Sequence, residues 1–452
     1  MGGSVKMSVN RVDSFLKKMG IAPELTNIYE TAIRFQNEMK AGLEGKASSL
    51  PMIPSYIDDS FNPIAHESVI AIDAGGTHLR IALVQFDEKL APKIKEIKFH
   101  PMPGSTTCIT SDDFFDFLAI ELEELLKETR KIGFCFTFLV EILPCRDGKI
   151  LEMGKEVKIV GCEGKIIGQE LSKALDRKSL PNFSHITVLD DTTASLISGK
   201  WLYKDQDYAD VIAAILGTGT NLCYFEKNNN IHKSPLLVKQ NGKTIINIES
   251  GCFDGQVKGQ LDLEFWSETL QPESHHTEKM IAGQYLGSLL EKYFAKAIDC
   301  QLFSKTGADI VRALGKIETK NINDYLAGAK DVDNSLFTHS LDIDNPLHEL
   351  QTLNQEDLSV ANALIEALVE RAAKLFVSSL LGCLLQINPK TTPNRPALIL
   401  VEGSTFLRFT ALQEKVKHYV EIEVEKKQGF YVIFKQIDHA VILGTACAAT
   451  LS

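Results

Sequence analysis

The feature that most constrains this chain is a pair of apolar runs joined by a glycine turn, and it occurs twice. The copies are HESVIAIDAGGTHLRIALVQF in residues 66–86 and DVIAAILGTGTNLCYFE in residues 210–226. Each copy predicts a β-hairpin, because short apolar runs around a Gly-containing turn are typical of paired strands. Two such hairpins in one chain indicate an internal duplication.

Further strand patterns alternate with helical patterns along the rest of the chain. The strand patterns are KIKEIKF, KIGFCFTF, HITVLDD, ALILVEG and GFYVIFKQI. Apolar spacings of three and four predict helices over 9–45, 111–130, 163–175, 192–202, near 277–297, over 356–386, from Ser404 and at the C-terminus. Ser111 or Asp112 is expected to cap the second of these helices. The alternation predicts an α/β architecture with sheets covered on both faces.

Size and charge exclude some classes of protein. A chain of 452 residues is too long for one hydrophobic core and predicts two or three domains. It carries 48 Lys and Arg against 59 Asp and Glu, a formal net charge of −11, which argues against nucleic-acid binding through the overall field. The nine cysteines include no C-x-x-C pair, so a cysteine zinc site is not expected.

The sequence also argues against a membrane protein. Its first 15 residues lack the apolar core of a signal peptide. The least polar long stretch, residues 375–388, is shorter than the roughly 20 residues of a membrane span and reads as the end of a buried helix. We therefore expect a cytoplasmic protein in a reducing compartment, with no membrane partner.

Three Gly-Thr or Gly-Ser turns follow predicted strands, at 73–77, 217–221 and 402–404. Glycine lets the backbone approach a ligand closely, and exposed N–H groups with Thr hydroxyls bind phosphate oxygens. A tight hairpin is the ordinary interpretation of any one such turn, but three in order favour a phosphate site. The motif G-x-x-x-x-G-K-[ST] is absent and no G-x-G-x-x-G opens a helix after the first strand, so this site must be built from hairpin turns.

Asp190 and Asp191 stand where a predicted strand ends and a helix begins. A carboxylate at that point faces the crevice where α/β proteins bind ligands, although a plain helix N-cap explains one Asp equally well. Other polar candidates are scattered, and each by itself is what an exposed surface residue looks like. They are Lys155, Asn221, Glu249 and Glu278.

Seven segments resemble, in order, the motifs of the hexokinase family. They are IDAGGTHLRIAL, GFCFTF, VLDDTTASLI, LGTGTN, NIESGCFD, EKMIAGQYLG and VEGSTF. The first is similar to the family's phosphate motif D-x-G-G-T-N-x-R-V and the last to its adenosine motif V-D-G-S-V-Y. The resemblance covers nearly the whole chain. It implies a two-lobed, actin-like (ribonuclease H-like) sugar kinase fold with a cleft between the lobes. The large lobe would comprise 1–65 and 192–440, and the small lobe 66–191 and 441–452.

The resemblance also implies an activity. An ATP-dependent hexokinase would transfer the γ-phosphoryl group to the 6-hydroxyl of a hexose such as glucose, feeding glycolysis, with ATP and Mg²⁺ as cofactors. Such a protein would be a monomer or a homodimer. Asp191 would be the catalytic base. The sugar would be bound by Thr137, Lys155, Asp190, Asn221, Glu249 and Glu278. The ATP side would be formed by Asp73, Gly75, Gly76, Thr77, Arg80, Thr192, Thr218, Gly403 and Ser404, with Asp73 holding Mg²⁺ through water.

Five positions depart from the family pattern. Thr137 stands in place of Ser, Leu139 in place of Pro, Gly154 in place of Thr, Asp190 in place of Asn, and His78 in place of Asn. These departures bear on the identity of the sugar more than on the chemistry, because the predicted base and most sugar ligands are retained.

Three alternatives stay open. One is a kinase for another sugar, an amino sugar or a polyol on the same fold. A second is a non-catalytic sugar sensor, which has no need of a base at Asp191. A third is an actin-like or chaperone-like ATPase, which would share the phosphate turns but would have no use for Lys155, Glu249 and Glu278.

Overall fold

The computed structural model describes residues 2–58, 63–153, 157–331 and 344–451. Its strands are β1 (Ile53–Pro54), β2 (Ser68–Ala74), β3 (His78–Phe86), β4 (Pro92–Pro101), β5 (Ile109–Thr110), β6 (Lys131–Phe136), β7 (Leu139–Ile142), β8 (Gly148–Glu152), β9 (Ile159–Val160), β10 (His185–Leu189), β11 (Val211–Leu216), β12 (Thr220–Lys227), β13 (Lys243–Asn247), β14 (Ala397–Glu402) and β15 (Val432–Lys435).

The helices fall between and after these strands. They are α1 (Gly2–Met19), α2 (Ile28–Leu43), α3 (Ser111–Leu122), α4 (Leu125–Glu128), α5 (Ile167–Arg177), α6 (Asp191–Leu202), α7 (Gln260–Ser267), α8 (His276–Ile281), α9 (Leu286–Asp299), α10 (Lys305–Ala313), α11 (Thr319–Asp331), α12 (Gln355–Ile387), α13 (Ser404–Arg408), α14 (Thr410–Tyr419) and α15 (Ala440–Ala448). A π-helical segment, Val420–Lys426, extends α14.

A five-stranded sheet has the spatial order β10-β6-β2-β3-β4. Strands β2, β3 and β4 form an antiparallel meander, and β6 and β10 continue the sheet in parallel. The central strands β2 and β6 are buried along almost their whole length. Their near-continuous apolar sequences follow from this, since a strand covered on both faces has no solvent side.

The second sheet has the order β1-β13-β12-β11-β14-β15. Strands β11, β12 and β13 are again an antiparallel meander, and β14 and β15 are again added in parallel. The short β1 extends the meander edge. The two predicted hairpins are confirmed as β2–β3 and β11–β12, and the two sheets repeat one order of strands.

The helices α6 and α15 lie against each other between the two sheets. A Cβ atom on Gly444 of α15 would lie 1.8 Å from the carbonyl oxygen of Ala194 on α6, so only glycine permits this approach. One apolar cluster joins both sheets here, since it includes Val69 of β2 and Cys223 of β12. The start of α6 therefore sits at the junction of the two halves, although the exact residue boundaries of the lobes stay a prediction.

Residues 375–388 behave as predicted. All but Asn388, which is the C-cap, form the end of α12, the 33-residue helix that packs against α2, α14 and α1, and most of their side chains are buried. Within the ranges that the structure describes, no helix combines the length and the apolar character needed to cross a bilayer. All nine cysteines are free thiols. The cytoplasmic location and the reducing setting stay predictions.

Three predicted helices are each divided in the structure. The segment 111–130 forms α3 and α4, and the other two are broken by clear turns. The segment 9–45 forms α1 and α2, separated by a turn at Gly20 (φ 73°) and a 3₁₀ turn at Pro23–Leu25. The segment near 277–297 forms α8 and α9, because Ala282 has an extended backbone conformation that ends α8 before α9 begins. At each of these two breaks, the helices on either side pack on the same core, so the apolar spacing continues across the break. Periodicity alone therefore did not predict the turns.

The predicted N-cap of α3 was wrong by one or two residues. Thr110 is the cap, in place of Ser111 or Asp112. Its Oγ1 accepts a hydrogen bond from the Asp113 backbone at 3.1 Å, and Asp113 accepts one from the Thr110 backbone at 3.0 Å. This reciprocal pair satisfies two helix-end donors, whereas a cap at Ser111 would forgo it.

Candidate active site

A cavity of about 480 Å³ opens between the end of β10 and the turn of the β11–β12 hairpin, a size typical of ligand pockets. Residues from distant parts of the chain meet on its wall because both sheets point their strand ends at it. Eight of the residues predicted from the sequence line it, namely Gly76, Thr137, Asp190, Asp191, Thr218, Asn221, Glu249 and Glu278.

A second cavity of about 370 Å³ adjoins the first, and Thr218 and Gln284 line both. Its wall includes the predicted adenosine residue Ser404, which begins α13. Three cationic side chains, Lys316, Lys320 and Arg408, also line it, against one acidic side chain, Glu318. The second cavity therefore suits an anionic ligand that reaches toward the first cavity past Thr218.

Asp191 is the first residue of α6, directly beyond the end of β10. Its Oδ1 accepts a hydrogen bond from Thr192 Oγ1 at 3.2 Å. Burial raises the pKa of Asp191 to about 7, helped by the nearby charges of Asp190 and Asp73. A carboxylate with that pKa is a proton acceptor poised near neutral pH, which is what a general base requires.

Asp190 is the N-cap of α6. Its Oδ1 accepts from the Thr193 backbone nitrogen at 2.9 Å and its Oδ2 from Thr193 Oγ1 at 2.5 Å. Burial raises the pKa of Asp190, and the Thr193 hydrogen bonds oppose that shift. The sequence left open whether this residue faces the cleft or caps locally. The structure shows the cap, on a residue that also lines the cavity.

Asn221 and Glu249 are joined through Asn247. The Asn221 amide donates to Asn247 Oδ1 at 2.7 Å, and the Asn247 amide donates to Glu249 Oε1 at 2.8 Å. Glu249 has a left-handed backbone (φ 57°), which turns its side chain into the cavity wall after β13. Burial raises the pKa of Glu249 to about 7, with a contribution from the charge of Asp190.

Glu278 and Thr137 complete the wall on opposite sides. Glu278, on α8, accepts a hydrogen bond from the Thr220 backbone at 3.0 Å, and burial raises its pKa. Thr137 follows β6, and its Oγ1 donates to the Ala74 carbonyl at 3.1 Å. Together with Asn221 they present acceptors and hydroxyls from both halves, an array suited to a polyhydroxyl ligand.

Lys155, predicted to bind the sugar, lies outside the described residues, and so does the neighbouring Gly154. Met153, the last described residue before them, lines the cavity.

Asp73 and Arg80 form an ion pair beneath the β2–β3 turn. Arg80 Nε donates to Asp73 Oδ2 at 2.6 Å, on directly paired residues of the two strands. Burial raises the pKa of Asp73, and the Arg80 charge opposes this. In the turn itself Thr77 is exposed, Gly75 and Gly76 are half-buried, and the Gly75 N–H donates back to the His78 carbonyl at 2.9 Å.

The prediction that Thr192 faces the ATP phosphates needs correction. Its side chain is fully buried, and its hydroxyl is engaged with Asp191. The backbone carbonyl of Thr192 accepts a hydrogen bond from Cys223 Sγ of β12 at 3.1 Å, so this turn of α6 is also tied to the second sheet. Thr192 is placed to orient Asp191 and not to bind a phosphate.

The second and third glycine turns touch each other. Gly403 has a φ of 97°, and a Cβ atom there would lie 2.5 Å from the Leu216 backbone and 2.6 Å from the Gly217 nitrogen. Across this contact Thr405 Oγ1 donates to the Gly217 carbonyl at 2.8 Å. The close approach leaves Thr218 exposed between the two cavities, where its hydroxyl is available to a ligand.

The carboxylates fit a magnesium ion only if other ligands come with it. Among the described residues, no group of three or more His, Cys, Asp or Glu is arranged to hold a metal ion. Mg²⁺ is usually bound by one or two carboxylates together with phosphates and waters. Asp73 and Asp191 lie near enough that the charge of one raises the pKa of the other, so they fit a metal that arrives with a nucleotide.

Sequence reasoning missed several residues of this site. Asn247 lies in the segment NIESGCFD, two residues before Glu249. That spacing places two side chains of a strand on the same face and could have indicated Asn247. Gln271 and His275 lie in a loop without periodicity, which offered none. Glu402 ends β14 next to Gly403, and burial raises its pKa to about 7 while the Arg80 charge lowers it, so it stands near the phosphate turns.

Comparison with known families bears directly on this site. Two sequence profiles, each described as hexokinase, match residues 11–201 and residues 211–451. The chain belongs to the hexokinase family. The two matches together span both sheets and every strand end that lines the cavity.

Individual hexokinases match along nearly the whole chain. Hexokinase-10 from Oryza sativa subsp. japonica is 29% identical over 434 residues, covering 92% of this chain and 81% of that protein. Hexokinase-1 from Schizosaccharomyces pombe is 25% identical over 480 residues, covering 100% and 93%.

The fold is likewise that of solved hexokinases. The hexokinase from Schistosoma mansoni, solved in complex with glucose, superposes with a TM-score of 0.77 at 20% identity and covers 99% of both chains. A further hexokinase structure gives 0.74 at 20% identity over the full length of both. This hexokinase-family chain therefore has the predicted two-lobed sugar kinase fold, and it is an ATP-dependent hexose kinase.

Proposed function

We propose that this protein transfers the γ-phosphoryl group of ATP to the 6-hydroxyl of a hexose, with glucose as the favoured substrate, and so supplies glycolysis. The observation that carries the proposal is the placement of Asp191. Its carboxylate lies on the cavity wall at the start of α6, with a pKa raised to about 7, among the polar side chains of Asn221, Glu249 and Glu278.

The proposed reaction requires one proton transfer and one displacement at phosphorus. Asp191 accepts the proton of the sugar hydroxyl, whose oxygen forms a bond to the γ-phosphorus. The bond from that phosphorus to the bridging oxygen breaks, and ADP leaves. A positioned base contributes about 10²–10⁴-fold, and the larger part of the acceleration comes from alignment and charge stabilisation.

The remaining residues are assigned by position. Asn221, Glu249, Glu278 and Thr137 orient the sugar. Thr77, Thr218 and the glycine turns hold the phosphates, as Thr hydroxyls and close backbone N–H groups do elsewhere. When bound, Mg²⁺ supplies charge neutralisation on the phosphates, and Asp73 would hold it through water.

A second candidate is a kinase for a different sugar, and Asp190 favours it. Where the family has an amide, this chain has an acceptor-only carboxylate beside the base. Both carboxylate oxygens bind Thr193, which leaves Asp190 fewer ways to accept from a substrate hydroxyl. A sugar that places a donor there would be favoured over one that places an acceptor.

The test is coupled ATP turnover over a panel of glucose, mannose, fructose, galactose, glucosamine and glycerol, with the product analysed for the phosphorylated position. We expect glucose to give the highest kcat/KM and the 6-phosphate as product. Asp191→Ala should lower kcat by at least about 10²-fold while calorimetry still detects glucose binding. A different preferred sugar would establish the second candidate.

Glucose binding without turnover by the wild type would favour the sugar sensor. Near-normal turnover by Asp191→Ala would remove the assigned base. Asp191→Asn serves as the matched variant, since it keeps the shape and the acceptor for Thr192 but cannot take a proton.

A further inference from the structure

A loop on the rim of the first cavity, residues 271–275, forms the last part of the connection between α7 and α8. Gln271 and His275 at its two ends line the cavity. The loop runs directly into α8, which carries Glu278 two residues after its start. The position of this rim loop therefore affects the shape of the cavity mouth and of one sugar-facing wall together.

Two buried side chains of α8 hold the rim loop from below. The ammonium group of Lys279, whose side chain is 1% exposed, donates to the Gln271 carbonyl. His276 Nε2 binds the Pro272 carbonyl at 2.9 Å. A buried Lys or His without a hydrogen-bond partner is costly, so breaking these two bonds is unfavourable. They therefore fix the backbone of the rim loop to the half of the molecule that contains the second sheet.

His276 is itself anchored. Its Nδ1 lies 2.5 Å from Asp254 Oδ1, and its ring stacks on Trp266 of α7 with centroids 4.0 Å apart and an interplanar angle of 15°. The backbone of the rim loop is thus anchored at Gln271 and Pro272 and forms a platform on one half of the molecule.

Glu152 faces this platform from the other half. It is the last residue of β8 in the β7–β8 hairpin, which is tied to the five-stranded sheet where the Val188 backbone of β10 donates to the Arg146 carbonyl at 2.8 Å. The Gln271 side chain donates from Nε2 to Glu152 Oε1 at 3.1 Å. This hydrogen bond joins residues 119 positions apart and crosses the mouth of the cavity.

We propose that Gln271 and Glu152 are a positioning pair that holds the two halves together over the bound sugar. Neither residue is assigned a part in the reaction; the pair acts through the closure that keeps Asp191 and the sugar-binding side chains in register and excludes water. The inference rests on the proposed function, because it takes the sugar to occupy this cavity.

The sign of the charge at position 271 tests the pair. Gln271→Glu sets a carboxylate against Glu152, and repulsion should raise both the KM and the Kd for glucose by about 3- to 10-fold, with the KM for ATP changed less than 2-fold. Adding Glu152→Lys to Gln271→Glu replaces repulsion by attraction and should return both values to within about 2-fold of the wild type. A merely structural role for either side chain predicts no such rescue.

Gln260→Glu is the matched control. Gln260 makes the same kind of bond, to Glu264 Oε1 at 2.7 Å, but within α7 on the surface and away from the cavity. It should leave the KM and Kd for glucose unchanged.

Unchanged glucose affinity in Gln271→Glu, or no recovery of affinity in the double variant, would overturn the proposed role of the Gln271–Glu152 pair. If the wild type binds glucose without phosphorylating it, the proposed function fails. The glucose Kd values of the wild type and the variants, measured by calorimetry, still test whether the pair holds the two halves together. If the wild type neither binds nor phosphorylates glucose, both proposals fall.

Discussion

Asp190 holds Thr193 with both of its carboxylate oxygens, one on the backbone nitrogen at 2.9 Å and one on the hydroxyl at 2.5 Å. This cap orders the first turn of α6, where Asp191 is the first residue. The charge of Asp190 meanwhile raises the pKa of Asp191. One side chain therefore both positions the proposed base and adds to the effect of burial, which raises the pKa of that base to about 7.

Replacing Asp190 by Asn should separate these two effects. The Asn oxygen still accepts from the Thr193 nitrogen and its amide can donate to the Thr193 hydroxyl, so the cap is kept. The loss of the negative charge lowers the pKa of Asp191. Because the base is active when ionised, the acidic limb of the kcat/KM profile for glucose should move to lower pH, from a wild-type midpoint near the value of about 7.

Asp190→Ala is the comparison, since it removes charge and cap together. It should show the same shift of the acidic limb but also lose about 0.5–2 kcal/mol of stability in urea unfolding. The sugar panel should be repeated on both variants. If Asp190→Asn neither moves the acidic limb nor changes the ranking of sugars, the role of Asp190 is limited to capping α6.

The raised pKa values also predict how stability depends on pH. Asp191 and Glu249 have ordinary values of 3.8 and 4.5 and values of about 7 in the folded protein. Between these limits the folded state binds more protons than the unfolded state, so the free energy of unfolding falls as pH rises through this window. We expect ligand-free protein to be less stable in urea at about pH 8 than at about pH 5.

Asp191→Asn and Glu249→Gln should each flatten that dependence, because the neutral side chain has no proton to lose. Asp113→Asn is the control. The Thr110 hydroxyl lowers the pKa of Asp113, so this carboxyl is ionised in both states across the window and should not affect the slope. Stability that rises over the window in the wild type would contradict the raised pKa values.

Thr218 is predicted to act on ATP and not on the sugar. It is exposed on the wall shared by the two cavities. Thr218→Val keeps the shape but removes the hydroxyl, so the KM for ATP should rise by about 10- to 150-fold, the cost of a lost hydrogen bond to a charged group, with the Kd for glucose unchanged. Thr218→Ser retains the hydroxyl and should stay close to the wild type. Weaker glucose binding with normal use of ATP would refute this role.

Gly403 is expected to tolerate no side chain. With φ at 97° an Ala is already strained by about 1–2 kcal/mol, and its Cβ atom would also collide with the Leu216 backbone at 2.5 Å. Gly403→Ala should therefore lower stability and the affinity for ATP. Gly429→Ala is the matched control, with a φ of 74° but nothing within 4 Å of the added atom, so it should show only the strain. Equal effects of Gly403→Ala and Gly429→Ala would show that the contact between the two glycine turns contributes nothing to stability or ATP affinity.

Local patterns in the sequence were enough to predict the repeated hairpins, the alternation of strands and helices, and the membership of the motifs in one family. Hairpin turns and buried strands are written in neighbouring residues, because glycine and apolar runs have the same local consequence in any context. The same holds for Asp191, since a strand that ends at a helix start places its carboxylate at a sheet edge whatever lies beyond.

Other features were decided only by the packing of distant segments. Thr192 was predicted to be a phosphate ligand from its motif, yet in the folded protein its side chain is fully buried and its hydroxyl donates to Asp191. The hydrogen bond from Gln271 to Glu152 joins residues 119 positions apart, and neither lies in a recognisable motif. The pKa values of Asp191 and Glu249 depend on burial and on charges brought from separate strands, and these exist only once the two sheets have come together.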